Sequence, residues 1–579
     1  MPQCKLNAAS EDYADFIIQY SALSFESLAQ LTDNQCLHFV NREYVVVSAE
    51  LDLVSPISVA RHTYTAIPKL YGLLDTTALE SSGILQAFEQ PSIRANGRGV
   101  ILGIIDTGID YTNPLFQLSD GTSRILSLWD QSIQSAEPPE IVGEFEPFYG
   151  TVYDNAQITQ ALRSEDPLQL VPSQDTDGHG TFLAGVAAGK RISAPTSFSG
   201  AAPEATLAIV KLRPAKQYLR DFYLIPPGVP AYQENDIMMA VSFLLALANR
   251  EQLPIVLLLG SGTNQGSHDG TSPLSLQLQS LIVRKGVVVV VSAGNEVGYQ
   301  HHYLGTLSEK QEFEDVELRV APGDAGFCME IWARTPELYT IGFISPAGEV
   351  IQPVPLVLGN ETLIPFRLDN TRITLTYQSY EANSASQLAF LRFETPSPGI
   401  WHIRVYPVLP LAGLFHIWLP QHEFVSEQTL FLRPDPDVTI TDPGNASMPI
   451  TVSAYQHRNE SLYIHSSRGF TRSGQIKPDI AAPGVEVQGP GLNAGTSANT
   501  LTFVRRSGTS VSAAITAGAA AGILSWGITD GNNPDLNSAT VKAMLIRGAD
   551  RNPAFRYPNR EWGFGTLNLY QSFLTPSSG

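Results

Sequence analysis

Four polar residues, each within two positions of a glycine, stand out along this 579-residue chain as groups that could do chemistry: Asp106, His179, Asn295 and Ser510. Ser510 closes Arg506-Ser507-Gly508-Thr509-Ser510 and opens a stretch of small and apolar residues that runs through Gly518 and Gly522 to Leu524. Such a stretch is a helix only if it is packed on all sides. Ser510 then stands at a buried helix N-terminus, where free N–H groups and the positive end of the macrodipole favour developing negative charge. That suits a nucleophile. Taken alone it suits a helix cap as well, since serine is a preferred capping residue.

Asp106 opens Asp106-Thr107-Gly108-Ile109-Asp110, after the apolar run Val100–Ile105. A carboxylate at a strand end is well placed for chemistry, but Asp-x-Gly is also ordinary turn chemistry. Asp-Thr-Gly marks aspartic proteases too; their mechanism needs two carboxylates sharing a proton, and a second Asp-Thr-Gly is missing here, so only a dimer would supply it. His179 lies in Asp175-Thr176-Asp177-Gly178-His179-Gly180-Thr181. The two glycines let backbone and substrate come close to the imidazole, and Asp175 with Asp177 leave a metal reading open, though without a supporting run of ligands. Asn295 ends Val289-Val290-Val291-Ser292-Ala293-Gly294-Asn295, where a side-chain amide can hold an oxyanion or simply make a turn.

The elements that must position these groups alternate between strand and helix. Buried parallel strands are expected at Val100–Ile105, Ala205–Val210, Ile255–Leu259 and Val287–Val291, with helices such as Asp236–Leu247 and Ser538–Leu545 between and after them. That pattern implies a doubly wound α/β sheet whose site lies at the C-terminal strand ends. From about 312 to 440 the texture becomes strict alternation: Val316, Leu318 and Val320, then Phe327, Met329 and Ile331, then Trp401, Ile403 and Val405 point inward, with Cys328, Glu330, His402 and Arg404 between them. An antiparallel β-sandwich inserted into the α/β domain is the reading. Residues 1 to about 66 form a small unit, with helical patterns at Ala14–Tyr20 and Phe25–Leu31, a β-rich run at Glu43–Ala49 and a turn-prone tract at His62–Pro68.

A net charge of −20, with no cluster of Lys and Arg, disfavours nucleic acid and anionic membrane surfaces as general partners. Three cysteines, Cys4, Cys36 and Cys328, exclude a disulfide framework or a cysteine zinc site. The N-terminus lacks the basic and apolar regions of a signal peptide, and the reading finds no run long enough to span a bilayer, so a cytoplasmic protein is expected.

Jointly, the segments around Asp106, His179, Asn295 and Ser510 resemble the Asp, His, oxyanion-Asn and Ser blocks of the subtilase family, in the chain order of subtilisin-type hydrolases. Gly200-Ala201-Ala202-Pro203, Lys477-Pro478-Asp479-Ile480-Ala481-Ala482-Pro483-Gly484 and Trp562-Gly563-Phe564-Gly565-Thr566 also resemble family motifs. Two segments depart from the pattern: Ala514-Ile515 follows the nucleophile, and Leu259-Gly260-Ser261-Gly262 replaces the usual Ser-Leu-Gly beside the first specificity pocket. The resemblance implies a serine endopeptidase in which Ser510 attacks, His179 relays the proton, Asp106 orients the imidazole and Asn295 binds the oxyanion. Calcium is common in that family, but no run of ligands in this sequence requires a metal, and no cofactor is expected. A narrower resemblance, carried by the N-terminal unit, Tyr64-Thr65-Ala66-Ile67-Pro68-Lys69-Leu70-Tyr71-Gly72-Leu73 and the β-insert, is to the Csp germination proteases of spore-forming clostridia. It implies a prodomain at 1–66 that is cut off autocatalytically and stays bound. A catalytic domain would follow at 67–311 and 441–579, split by a jelly roll at 312–440. The substrate would be a cortex-lytic hydrolase precursor, and the protein would be packaged in the spore. A general degradative subtilase and a signalling protein with an occluded site remain as alternatives.

Overall fold

The computed structural model describes residues 13–19, 36–39, 44–54, 77–134, 142–143, 145, 149–193, 197–308, 310–357, 361–381, 383–492 and 501–574. The chain forms two compact units, Met1–Leu74 and Asp75–Gly579.

In the first unit, a strand at Tyr13–Gln19 pairs antiparallel with Tyr44–Glu50, which also pairs with Cys36–Phe39. The helix expected over Ala14–Tyr20 is therefore a strand. Phe16, Ile17 and Ile18 are aromatic or β-branched, and their backbone pairs with Val47, Val46 and Val45, a long-range pairing that local spacing does not reveal. The helical pattern at Phe25–Leu31 and the turn tract at His62–Pro68 lie outside the described residues.

The second unit is built on a nine-stranded sheet. Its central strand, Ile101–Asp106, lies parallel between Ile255–Leu259 and Thr206–Lys211. Val287–Ser292 and Ile450–Gln456 extend the sheet on one side and Ile125–Asp130 on the other, all parallel. Alternate residues of each apolar run enter different cores. Leu102, Ile104, Val256, Leu258, Val288 and Val290 pack with the helices His179–Ala188 and Thr509–Leu524. Ile101, Ile105, Ile255, Leu257, Val289 and Val291 pack with the helix Glu234–Glu251 on the opposite face. This two-sided burial is why the strands read as continuous apolar runs.

All sixteen residues of the helix Thr509–Leu524 are buried. Its small side chains permit backbone approach: a Cβ on Gly518 would stand 2.7 Å from the Ala187 carbonyl, and one on Gly522 would stand 2.6 Å from that of Ala95. Counted to Thr529, this helix has the length and mean hydropathy, 1.5, of a membrane span, which corrects the reading that no such run exists; 89% of its apolar window is buried inside the protein.

Between the two halves of this sheet, antiparallel strands from His302 to Phe431 form a six-stranded and a five-stranded sheet that share one core. Phe393 of one sheet meets Phe343 and Trp401 of the other at ring-centroid distances of 6.3 and 5.8 Å. The expected inward residues Val316, Leu318, Phe327, Met329, Trp401 and Ile403 are all in that core. Cys328 and Glu330, expected to face water, are buried as well, because their face of the strand Gly326–Arg334 lies against the α/β domain. Glu330 accepts from the Gly266 N–H at 2.9 Å, and Cys328 Sγ lies 3.7 Å from the Phe222 carbonyl. Burial pushes the Cys328 thiol up to about 12, so it stays protonated.

Candidate active site

Asp106 is the last residue of the central strand, and its side chain is 4% exposed. The Thr107 N–H donates to Asp106 Oδ1 at 2.8 Å. His179 opens the helix His179–Ala188 after Gly178, whose φ of +85° is the left-handed conformation that glycine tolerates without strain. The imidazole spans two groups that come from opposite ends of the sequence: Nδ1 lies 2.8 Å from Asp106 Oδ1 and Nε2 lies 3.0 Å from Ser510 Oγ. An ionised carboxylate can only accept, so Nδ1 carries the proton and Nε2 is left to accept the Ser510 hydroxyl. The His179 side chain keeps 28% of its surface exposed, so the ring's open side can meet an incoming group while the carboxylate beneath it is sealed.

These contacts set the charge balance. Burial alone would lower the His179 pKa, but the charge and hydrogen bond of Asp106 outweigh it and hold it above the ordinary imidazole value. Burial would likewise raise Asp106, and the His179 charge and hydrogen bond, with the Thr107 N–H, bring it net below the usual carboxylate value.

Asn295 reaches the same point from the end of the strand Val287–Ser292. Its Oδ1 accepts from the Thr509 N–H at 3.0 Å and from Thr509 Oγ1 at 3.2 Å. A backbone N–H must face an acceptor, so the amide orientation is fixed with Oδ1 on Thr509. Nδ2 and the Ser510 hydroxyl both lie beside Gly508: a Cβ there would stand 3.4 Å from Asn295 Nδ2 and 3.5 Å from Ser510 Oγ. The helix N-terminus behind Ser510 adds N–H groups without intrahelical acceptors. The arrangement can therefore activate a hydroxyl, hold an oxyanion and return a proton.

All four residues singled out from the sequence thus meet at one edge of the sheet. Gly260, in the segment that departs from the family pattern, crosses directly over the pair: a Cβ there would stand 3.1 Å from Asp106 Oδ2 and 3.2 Å from His179 Cε1. The metal reading of Asp175 and Asp177 fails. Both oxygens of Asp175 accept hydrogen bonds from protein donors, and among the described residues no His, Cys, Asp and Glu cluster could hold a metal. Sequence reasoning missed Thr107 and Thr181 as partners of Asp175; the hydroxyl next to each of Asp106 and Gly180 was the signal available.

The pattern of the Subtilase family matches residues 97–318 and 433–565, leaving out most of the inserted sandwich. The chain is 36% identical to the serine protease AprX of Bacillus subtilis over 127 residues, which are 20% of this chain and 27% of AprX. It is 22% identical to the C5a peptidase of Streptococcus pyogenes over 455 residues, 73% of this chain and 35% of that protein. The matched regions thus span about a third or less of these curated relatives. Among solved structures, the CspB protease of Clostridium perfringens superposes with a TM-score of 0.74 at 28% identity, covering 86% of this chain and 96% of that one.

Proposed function

The chain belongs to the subtilase family, and from that premise we propose that it is a serine endopeptidase whose nucleophile is Ser510. The observation that carries the proposal is the unbroken run of hydrogen bonds from Asp106 through His179 to Ser510, with the Asn295 amide beside the hydroxyl. His179 Nε2 takes the Ser510 proton as Oγ attacks the scissile carbonyl carbon. In this reading the oxyanion that forms accepts from the Asn295 Nδ2–H and the Ser510 N–H. Asp106 stabilises the imidazolium, which then protonates the leaving amine. Water repeats the sequence on the acyl-enzyme.

A pH dependence follows from the proton path. His179 must be neutral to act as base, and Asp106 holds its pKa above that of a free imidazole. The acid limb of kcat/KM should therefore have its midpoint above the free-imidazole value, with activity lost as pH falls through it. A midpoint near 5 in a pH profile of peptide hydrolysis would contradict this assignment.

The finer reading is limited proteolysis of a protein precursor, such as that of a spore cortex-lytic hydrolase, by a protein made without export and packaged in the spore. Residues 1–66 would be a prodomain released by self-cleavage between Tyr64 and Ile67, and the inserted sandwich a jelly roll. It is supported by the likeness to the CspB protease over 86% of the chain. The test is a fluorophosphonate probe together with intact-mass analysis of wild type and Ser510→Ala. Wild type should carry one adduct on Ser510 and appear as a fragment of about 66 residues plus a larger body; the variant should be unlabelled and uncut. Labelled but full-length wild type would keep the peptidase and remove the prodomain. Unlabelled wild type would remove the peptidase.

A further inference from the structure

We infer that Asp175 is a positioning residue that fixes the approach of His179 to Asp106 by tying the two loops into one unit, an inference that rests on the peptidase reading above. Asp175 touches neither Ser510 nor the oxyanion space and is 5% exposed. Its Oδ1 accepts from Thr107 Oγ1 at 2.9 Å, the Gly178 N–H at 2.8 Å and the Asp177 N–H at 3.2 Å. Its Oδ2 accepts from the Thr181 N–H at 2.9 Å and Thr181 Oγ1 at 2.7 Å. Four of these five donors come from residues immediately around His179; the fifth, Thr107, directly follows Asp106.

The two hydroxyls are each used twice, which closes the network. Thr107 Oγ1 accepts from the Gly180 N–H at 2.9 Å while donating to Asp175, and Thr181 Oγ1 accepts from the Asp110 N–H at 2.8 Å while donating to Asp175. The loops are also in backbone contact: a Cβ on Gly180 would fall 2.2 Å from the Gly108 carbonyl oxygen. A carboxylate suits the centre of this network because both its oxygens only accept, and charge-assisted hydrogen bonds are the stronger kind. An asparagine offers one acceptor and turns an NH2 group against the other donors. Placed at the Oδ1 position, the NH2 leaves the Gly178 and Asp177 N–H groups without an acceptor, and placed at the Oδ2 position it leaves that of Thr181, none of which can reverse as a hydroxyl can. Either change loosens the frame that holds Nδ1 at 2.8 Å from Asp106. Displacements of ~1 Å in a catalytic group cost ~100-fold in rate.

The experiment uses the full chain with Asp175→Asn, Thr107→Val and Ser510→Ala. Asp175→Asn is expected to lower kcat by about 30- to 100-fold with KM within about twofold, and to move the acid-limb midpoint down toward that of a free imidazole. The downfield proton resonance of His179 Nδ1–H should shift or broaden in the same variant. Thr107→Val, which removes only the bridge to the Asp106 strand, should lower kcat by about 5- to 10-fold in the same direction; it carries the test if Asp175→Asn does not fold. Wild-type kcat and midpoint in both variants would overturn the inference. So would a loss of rate matched by an equal loss of probe-reactive sites with the midpoint unmoved, since that is lost folding rather than lost positioning. If instead Ser510→Ala keeps wild-type activity, the peptidase reading itself has failed.

Discussion

Replacing Ser510 with alanine is expected to lower kcat for peptide hydrolysis by ~10⁶-fold, which leaves only the modest acceleration that oxyanion donors and binding give to attack by water. The substitution is well suited to the question because it should spare the fold. Ser510 is the second residue of a helix in which all sixteen residues are buried, and alanine is the best helix former and the smallest change available there. Asn295 keeps its bonds to Thr509, and His179 keeps Asp106. Steady-state hydrolysis of a peptide substrate beside a thermal melt reads both quantities. A variant within tenfold of wild type would mean that the nucleophile lies elsewhere, and that the 3.0 Å contact between His179 Nε2 and Ser510 Oγ is a buried polar pair without catalytic meaning.

Asp106→Asn is expected to cost ~10⁴-fold in kcat near neutral pH, again with the fold retained. The reason is the charge. Asp106 Oδ1 receives both the Thr107 N–H and His179 Nδ1–H. An asparagine oxygen in that place still accepts both, but it carries no charge to stabilise the imidazolium that forms as Ser510 gives up its proton. Turned the other way, its NH2 faces Nδ1, and the proton then sits on Nε2, which can no longer take one from Ser510. Removing the carboxylate charge also removes the interaction that holds the imidazole pKa up, so the acid-limb midpoint should fall while the plateau drops. An unmoved midpoint with the plateau lowered would indicate that some other charge governs His179. Asp177 and Arg506 then become the groups to examine, since they act on the imidazole in opposite directions.

The pattern of residues made much of this legible. The apolar runs at 101–106, 255–259 and 287–291 could only be strands buried on both faces, and their C-terminal ends carry Asp106, Gly260 and the Asn295 turn. The small-residue stretch after Ser510 could only be a helix enclosed by other elements. Glycines at 178 and 508 marked where the backbone must turn or come close. Where long-range pairing overrides local preference, the same reasoning failed. Tyr13–Gln19 is a strand because Tyr44–Glu50 lies beside it. Glu330 and Cys328 alternate as outward residues should, yet the sandwich turns that face onto the α/β domain.

The sequence by itself determined which residue types stand at the site, their order, and the elements that end in them, because periodicity, turn chemistry and glycine placement are local properties of the chain. Only the tertiary structure decided what each polar group faces. The spacing Asp175-Thr176-Asp177 suits a cation as well as a turn, and it became a hydrogen-bond centre because Thr107, 68 residues earlier, presents its hydroxyl to the same carboxylate. His179 and Ser510 are 331 residues apart, and a proton path exists between them because parallel pairing brings the Asp106 and Asn295 strands to one edge of the sheet and a buried helix sets Ser510 between them.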